Sequence, residues 1–435
     1  MKKQEKTDEF ANHVFRIIRS DWFLIVVIAL LFVMVSFTLF SRFLSGNPLI
    51  FGSESAYNLR MSDMLAQDSW KISILDSHSF TPSSSNVTLY NYLLALFSNE
   101  SLWIVYSIQF LLACVLLMLL MQFMRNRGVK KPLRRLSFAF IAISPFFIYS
   151  ILSLSPMLLF VVVALISFVL LQTDRWKILS ILPMLAIPIF GFYPSLLYIL
   201  ILLLFFFKDT VWASVHSVFV LIILGIFYYL GYKVSLLPLG LHVPSFIRMI
   251  LVEFGGLRGV GAMTIILASY GFFKMFTDKI KFSWHIIFFI TTFFSLLANM
   301  NLVYIPMIVI VIYGAYALES LLIRRWHSYD LKRLTMLIMA CSILFSTIVF
   351  SQRLLEIEPN ETDVDALRWL SNQDRDVVFT HPLEGSFIQY YADSKIIRDG
   401  FHIDDKVYGD IEDILVSKDI EVTTSLLDNY NVSHI

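Results

Sequence analysis

The sequence is poor in charge. Asp, Glu, Lys and Arg make up 15% of its 435 residues, against roughly 25% in a soluble globular domain, and that deficit excludes a soluble enzyme. Cysteine is scarcer still. Cys114 and Cys341 both fall inside apolar runs, with neither the spacing of a metal site nor the number that a disulfide framework needs; each reads as lipid-facing or core filler. Net charge is also nearly absent, at +1 with a pI near 7.8. Overall charge therefore gives no basis for a nucleic-acid partner, and the placement of charges becomes the informative quantity.

What the chain has in excess is apolar sequence. Hydrophobic residues are 57% of the total, with 40 Phe and 16 Met, and mean hydropathy is +0.73. The apolar residues lie in runs near the ~20 residues that cross a bilayer core of about 30 Å. Breaks of charge, Pro and Gly give eleven expected spans: 22–40, 102–124, 136–151, 157–171, 178–191, 194–207, 211–231, 257–273, 284–299, 302–322 and 334–350. No small-residue cleavage site follows the first run, which reads as a retained span. At Gly191-Phe192-Tyr193-Pro194 the reading divides, because 178–207 is either two spans or one kinked segment. Loop charge favours two. With the N-terminus inside, the segments 1–21, 125–135, 172–177, 208–209, 274–282 and 323–333 hold 21 of the 34 Lys and Arg, and the outer loops hold five. The positive-inside rule then puts the N-terminus in the cytoplasm and the C-terminal tail outside a cell membrane crossed many times. The N-x-S/T triplets at Asn86, Asn99, Asn360 and Asn431 all fall on the outer side.

Three outer segments, 41–101, 232–256 and 351–435, are too long to be connectors alone, so an extracytoplasmic site must be built from them. The inner stretch 125–135 reads as a topology determinant touching anionic headgroups. After Arg353 the composition turns mixed and polar. A helix with Asp363 as its cap runs to Asn372, followed by a strand at 376–381, a helix at 385–393, a strand at 395–399 and helices at 409–417 and 420–429. The expected fold class is a membrane all-α polytopic bundle with a small C-terminal extracytoplasmic α/β domain. Its parts are a cytoplasmic N-terminus at 1–21, a transmembrane domain at 22–350 and the α/β domain at 351–435, whose sheet is either minimal or completed by another element.

The first outer segment opens with Phe51-Gly-Ser-Glu54-Ser-Ala-Tyr57-Asn-Leu-Arg60, about ten residues after the first span. Glu54 is placed within reach of a lipid-borne substrate. The rest of the segment, with Asp63, Asp68, Asp76 and His78, reads as one or two interfacial helices; His78 is a solvated loop histidine or a metal ligand.

This stretch resembles the first extracytoplasmic loop of the GT-C glycosyltransferase superfamily, most closely the catalytic subunit of archaeal oligosaccharyltransferase, in which an acid precedes a Tyr-Tyr-His-Leu-Arg-like run; here Tyr57-Asn58-Leu59-Arg60 follows Glu54. Ile250-Leu251-Val252-Glu253-Phe254-Gly255-Gly256 looks like the Glu-containing motif of that family's fifth outer loop. Gly385-Ser-Phe-Ile-Gln-Tyr-Tyr-Ala-Asp393 is similar to the stretch after its Trp-Trp-Asp-Tyr-Gly motif. Two departures stand beside these. The family's second-loop acidic metal motif is replaced by Ser-Leu-Ser-Pro at 153–156, and its Trp-Trp-Asp by Thr380-His381-Pro382-Leu383-Glu384. They remove the ground for transfer to asparagine and leave the cofactor unknown, since Glu54 and Glu253 alone give a divalent metal few oxygens.

The resemblance implies an integral membrane glycosyltransferase of an archaeal surface-glycan pathway, moving a sugar from a polyprenyl-phosphate-linked donor to an acceptor on the outer face. Such a reaction needs a carboxylate base and cations for the departing lipid phosphate. Glu54 and Glu253 are the catalytic candidates; Tyr57, Arg60, Arg248 and Arg258 are the substrate-binding ones, the last two because guanidinium binds two phosphate oxygens at once. The competing readings are plainer. Glu54 caps an interfacial helix, Glu253 pairs with Arg248 or Arg258, and the arginines anchor the chain at the membrane face. His381 and Glu384 are readers of another acceptor or simple surface residues, and Glu319 pairs with Arg324 or Arg325 near the inner end of its span. As a whole protein, the alternative is a catalytically inactive GT-C relative serving as a lipid-glycan binding or scaffold subunit. A transporter is disfavoured, because polar residues gather in loops and not at mid-span.

Overall fold

The computed structural model describes residues 2–67, 73–75, 84–97, 101–206, 210–229, 251–276, 282–297, 300–373, 377–381, 384–397, 405–417 and 419–434. The chain is mostly helical. Helix α1 (Lys2–Arg19) leads into α2 (Asp21–Leu44), then α3 (Gly52–Gln67) and α4 (Leu89–Ala95), which flank a short antiparallel pair, β1 (Ser73–Leu75) and β2 (Ser84–Asn86). The helices expected at 41–101 are thus present, with a hairpin between them that the polar composition did not announce. Next come α5 (Leu102–Asn126), α6 (Lys131–Ala142), α7 (Pro145–Leu152) and α8 (Pro156–Leu171). The run 136–151 bends by 55° between α6 and α7, because Pro145 cannot continue the helix.

The ambiguous run forms α9 (Ile181–Ala186) between two 3₁₀ turns, then α10 (Phe192–Phe205). Between them the chain doubles back at Gly191, whose φ of +107° suits only glycine. Phe190 packs on Phe160 at the reversal, while the Ser180 carbonyl on one limb and Tyr198 on the other both hydrogen-bond Ser167. The bundle is completed by α11 (Thr210–Tyr229), α12 (Ala262–Phe276), α13 (Phe282–Leu297), α14 (Tyr304–Ile323) and α15 (Tyr329–Arg353). Among the described residues four helices are long and apolar enough to cross a membrane, α2, α5, α14 and α15, or five with the bent pair; α8, α10, α11, α12 and α13 carry shorter apolar stretches. The apolar runs are helical over most of their described parts, but length and apolarity qualify only these few as full spans.

The tail holds α16 (Glu361–Ser371), β3 (Val377–Val378), α17 (Gly385–Phe387) continued by a π turn to Ala392, β4 (Lys395–Ile396), α18 (Asp405–Val416), α19 (Ile420–Asn429) and β5 (Val432–His434). The described sheet is parallel throughout, in the order β4-β3-β5, with β5 pairing beside β3. Val407, Ile411 and Ile414 recur at helical spacing and bury one face of α18 with Val377, Phe379, Ile397 and Tyr430 in a small core of its own. The cap of α16 is Asn360, not Asp363. Asp363 sits at the third position, and the two side chains exchange bonds with each other's backbone N–H.

Two buried arginines mark opposite ends of α2. Arg42, fully buried, donates to the carbonyls of Pro48, Ile50, Leu354, Leu355 and Pro359. It ties the start of 41–101 to the end of α15, so α2 and α15 finish side by side. At the other end Arg135 donates to the Ile18 and Ser20 carbonyls and pairs with Asp21. Near that end the basic connections meet: Arg127, Lys130, Lys274 and Arg324 line one cavity of 1100 Å³ together with Glu319.

Candidate functional site

The site grows from the turn into α3. Gly52 has φ +80°, and a Cβ there would lie 3.2 Å from Tyr149 Oη, so backbone and space both call for glycine. The turn sets Glu54 in the first turn of α3, where a helix N-terminus favours a carboxylate. Its side chain is 5% exposed. Oε2 accepts from Arg258 Nη2 at 2.7 Å and Oε1 from Ser155 Oγ at 3.2 Å. Arg258 is itself 14% exposed, with its guanidinium 6.0 Å from the Tyr304 ring centroid. Two opposite charges withdrawn from water are tolerable only when paired and hydrogen-bonded, and here both conditions hold.

Ser155 belongs to the Ser-Leu-Ser-Pro segment between α7 and α8. Leu154 there takes φ +50°, a strained conformation for a branched residue that surrounding contacts must hold. Asn58 Nδ2 donates to the Leu154 carbonyl at 3.2 Å, and Gln109 Nε2 donates to the carbonyls of Ser150 and Ser155 at 3.2 and 3.4 Å. Tyr90 donates to Gln109 Oε1, and Asn91 Nδ2 donates to the carbonyl and Oδ1 of Asn58.

The Tyr57-Asn58-Leu59-Arg60 stretch therefore faces two ways. Asn58 steadies the serine turn, whereas buried Arg60 donates to Gln389 Oε1 of the tail. Tyr57 is half-buried one turn after Glu54. Farther along α3, burial pushes the Asp63 carboxyl up to about 6. Burial also pushes the Tyr390 phenol up to about 12, with the nearby Asp63 charge adding to it.

Glu253 is engaged elsewhere. Both of its oxygens accept from the Ala262 N–H at 3.0 Å, and Oε1 also accepts from Ser346 Oγ at 2.9 Å; it caps α12 from an exposed position. The structure thus brings Arg258 to Glu54, while Glu253 serves a helix terminus. Arg248, Asp68, Asp76 and His78 lie outside the described residues. His381 and Glu384 are exposed, Glu384 accepting from Thr380 Oγ1. Sequence reasoning missed Ser155 and Gln109. Gln109 carried a signal, as a buried amide inside an apolar run.

A divalent cation asks for about six oxygens, usually with more than one carboxylate. Among the described residues no group of three or more His, Cys, Asp or Glu converges, and Glu54 already meets a guanidinium and a hydroxyl. This donor set does not fit a metal cage.

No family profile matches the sequence, and no curated protein matches it. The fold, however, is shared with solved structures of one enzyme. It resembles the oligosaccharyltransferase of Archaeoglobus fulgidus in several solved structures. The complex with Zn and sulfate aligns with a TM-score of 0.64 at 12% identity, covering 94% of this chain and 67% of that one. The complex with an inhibitory peptide and a dolichol-phosphate gives 0.64 at 11%, covering 95% and 69%. The form tethered to an acceptor peptide containing the NVT sequon gives 0.60 at 13%, covering 95% and 68%. At such identities the likeness establishes fold, over nearly the whole of this chain.

Proposed function

We propose that the chain is a GT-C-type membrane glycosyltransferase that moves a sugar from a polyprenyl-phosphate-linked donor to an acceptor. The observation that carries the reading is the buried Glu54–Arg258 pair, held by Ser155, in a chain with the fold of an enzyme solved with dolichol-phosphate. Glu54 is the base that takes the acceptor proton. Arg258 shares its guanidinium between Glu54 and the carrier phosphate, steadying the charge that develops as the sugar leaves. Tyr57 and Arg60 lie along the same helix as binding residues. Arg248 is proposed for the phosphate on its sequence position alone, and Glu253 as a residue that orients the loop before α12. Purified protein in lipid vesicles, given a polyprenyl-phosphate-linked sugar and an acceptor, should release polyprenyl phosphate in step with glycosylated acceptor; intact donor after prolonged incubation with varied acceptors would count against transfer.

A second reading is an inactive relative that binds a lipid-linked glycan. One observation favours it: both candidate carboxylates are already bonded, Glu54 by Arg258 and Ser155, and Glu253 by Ala262 and Ser346. Donor binding without turnover would select it.

For placement in the membrane, the N-terminus is assigned to the cytoplasm, and residues 41–101, 232–256 and the α/β unit at 351–435 to the outer face. Loop charge supports this, as does Arg42, which fastens 41–50 to the segment after α15. Single cysteines at Ser84 and Asn372 should react with an impermeant reagent on intact cells, and one at Ser328 should not. The reverse pattern overturns the orientation.

A further inference from the structure

At the end of the bundle away from Glu54, α2, α5 and α6 enclose a cleft of 400 Å³ with an uneven lining. Leu24, Met118 and Met121 supply the apolar part, and Arg125, Lys131, Arg134 and Arg135 the basic part, with Gln122 also in the lining. Among the described residues the lining contains no acid. Arg135 is turned to the α1–α2 corner, where Asp21 and two carbonyls hold it. Arg134 is different: its Nε is buried and makes no hydrogen bond among the described residues, an expensive state for a charged donor.

We propose that this cleft is a binding site for an anionic phospholipid. The phosphate lies against Arg125, Lys131 and Arg134, and an acyl chain follows Leu24, Met118 and Met121. Cations and apolar side chains in one lining match the two-part chemistry of a lipid, charged at one end and hydrocarbon at the other. A free phosphate would use the cations and leave the apolar part unexplained. Arg134 also adds a planar guanidinium fork to the basic part of the lining. The neighbouring 1100 Å³ cavity is lined differently, with Glu319 among its cations and Lys274 bonded to Ser320, and is less suited to an anion.

Native mass spectrometry of the full-length protein, with dioleoyl phosphatidylglycerol or dioleoyl phosphatidylcholine added, tests the proposal. Wild type should retain phosphatidylglycerol preferentially. The variant R125Q/R134Q should lose about thirtyfold in that affinity, on the basis of roughly five- to sixfold per cation, while R125K/R134K retains most of it. If R125Q/R134Q does not fold, Gln122→Glu places an acid at the cleft without removing an arginine and should weaken retention several-fold. Arg175→Gln, an exposed basic residue outside the cleft, should change nothing. Equal retention of the two lipids, an equal loss in Arg175→Gln, or unchanged binding in both cleft variants overturns the site. Displacement of the lipid by millimolar inorganic phosphate would assign the cations to free phosphate and overturn the lipid assignment.

Discussion

Replacing Glu54 with glutamine should lower the rate of sugar transfer by about 10²–10⁴-fold, the usual contribution of a positioned base, with little change in donor affinity. Glutamine keeps the length of the side chain. Its carbonyl oxygen can still accept from Arg258 Nη2, and its amide can donate to Ser155 Oγ, which reverses its role by rotating its hydroxyl. The turn at Leu154 and the packing of α3 therefore have no reason to move, and the loss is chemical. Transfer assays at saturating donor on purified Glu54→Gln would measure it. Transfer at the wild-type rate would make Glu54 a structural counterion of Arg258, and the base would have to be sought elsewhere.

Arg258→Ala should have two effects. The first is structural: a carboxylate only 5% exposed loses its counterion, which typically destabilises by about 3–5 kcal/mol. The second is functional. Donor affinity should fall about ten- to a hundredfold, corresponding to one charge-assisted contact of roughly 1.5–3 kcal/mol. Arg258→Lys keeps the charge and loses the fork, so it should fall between wild type and alanine. The double variant E54Q/R258A separates the two effects. With both charges gone the buried pair is neutralised, and much of the stability should return; donor affinity should not. Recovery of donor binding in the double variant would reduce Arg258 to a partner of Glu54 and move the phosphate site away.

Much of the architecture follows from local pattern. A run such as Leu102–Asn126 is helical because neither Pro nor Gly interrupts it and nothing but lipid or other helices can cover it. Pro145 and Gly191 mark a bend and a reversal for reasons written in the residues themselves. Glu54 could be singled out because it is an acid close behind an apolar run. Its partner could not. Arg258 is 204 positions away, and the sequence put it beside Glu253, five residues distant, because proximity along the chain is all that a sequence reading can weigh. The same limit hid Ser155, an unremarkable serine until the turn at Leu154 aims it at Glu54.

The arginines show where the line falls. From sequence, Arg42, Arg60 and Arg258 are three cations in or beside the long polar segments, with nothing local to tell their roles apart. Their environments separate them. Arg42 is surrounded by five backbone carbonyls and serves as a staple, Arg60 reaches Gln389 in the tail, and Arg258 meets the buried carboxylate. The sequence alone determined that this is a helical membrane protein with polar material concentrated in three long segments, because solvent preference is additive over residues and survives without coordinates. Which of its few charges face one another was decided only by tertiary structure, because a pairing energy depends on separation and burial, and both are set by contacts between residues hundreds of positions apart.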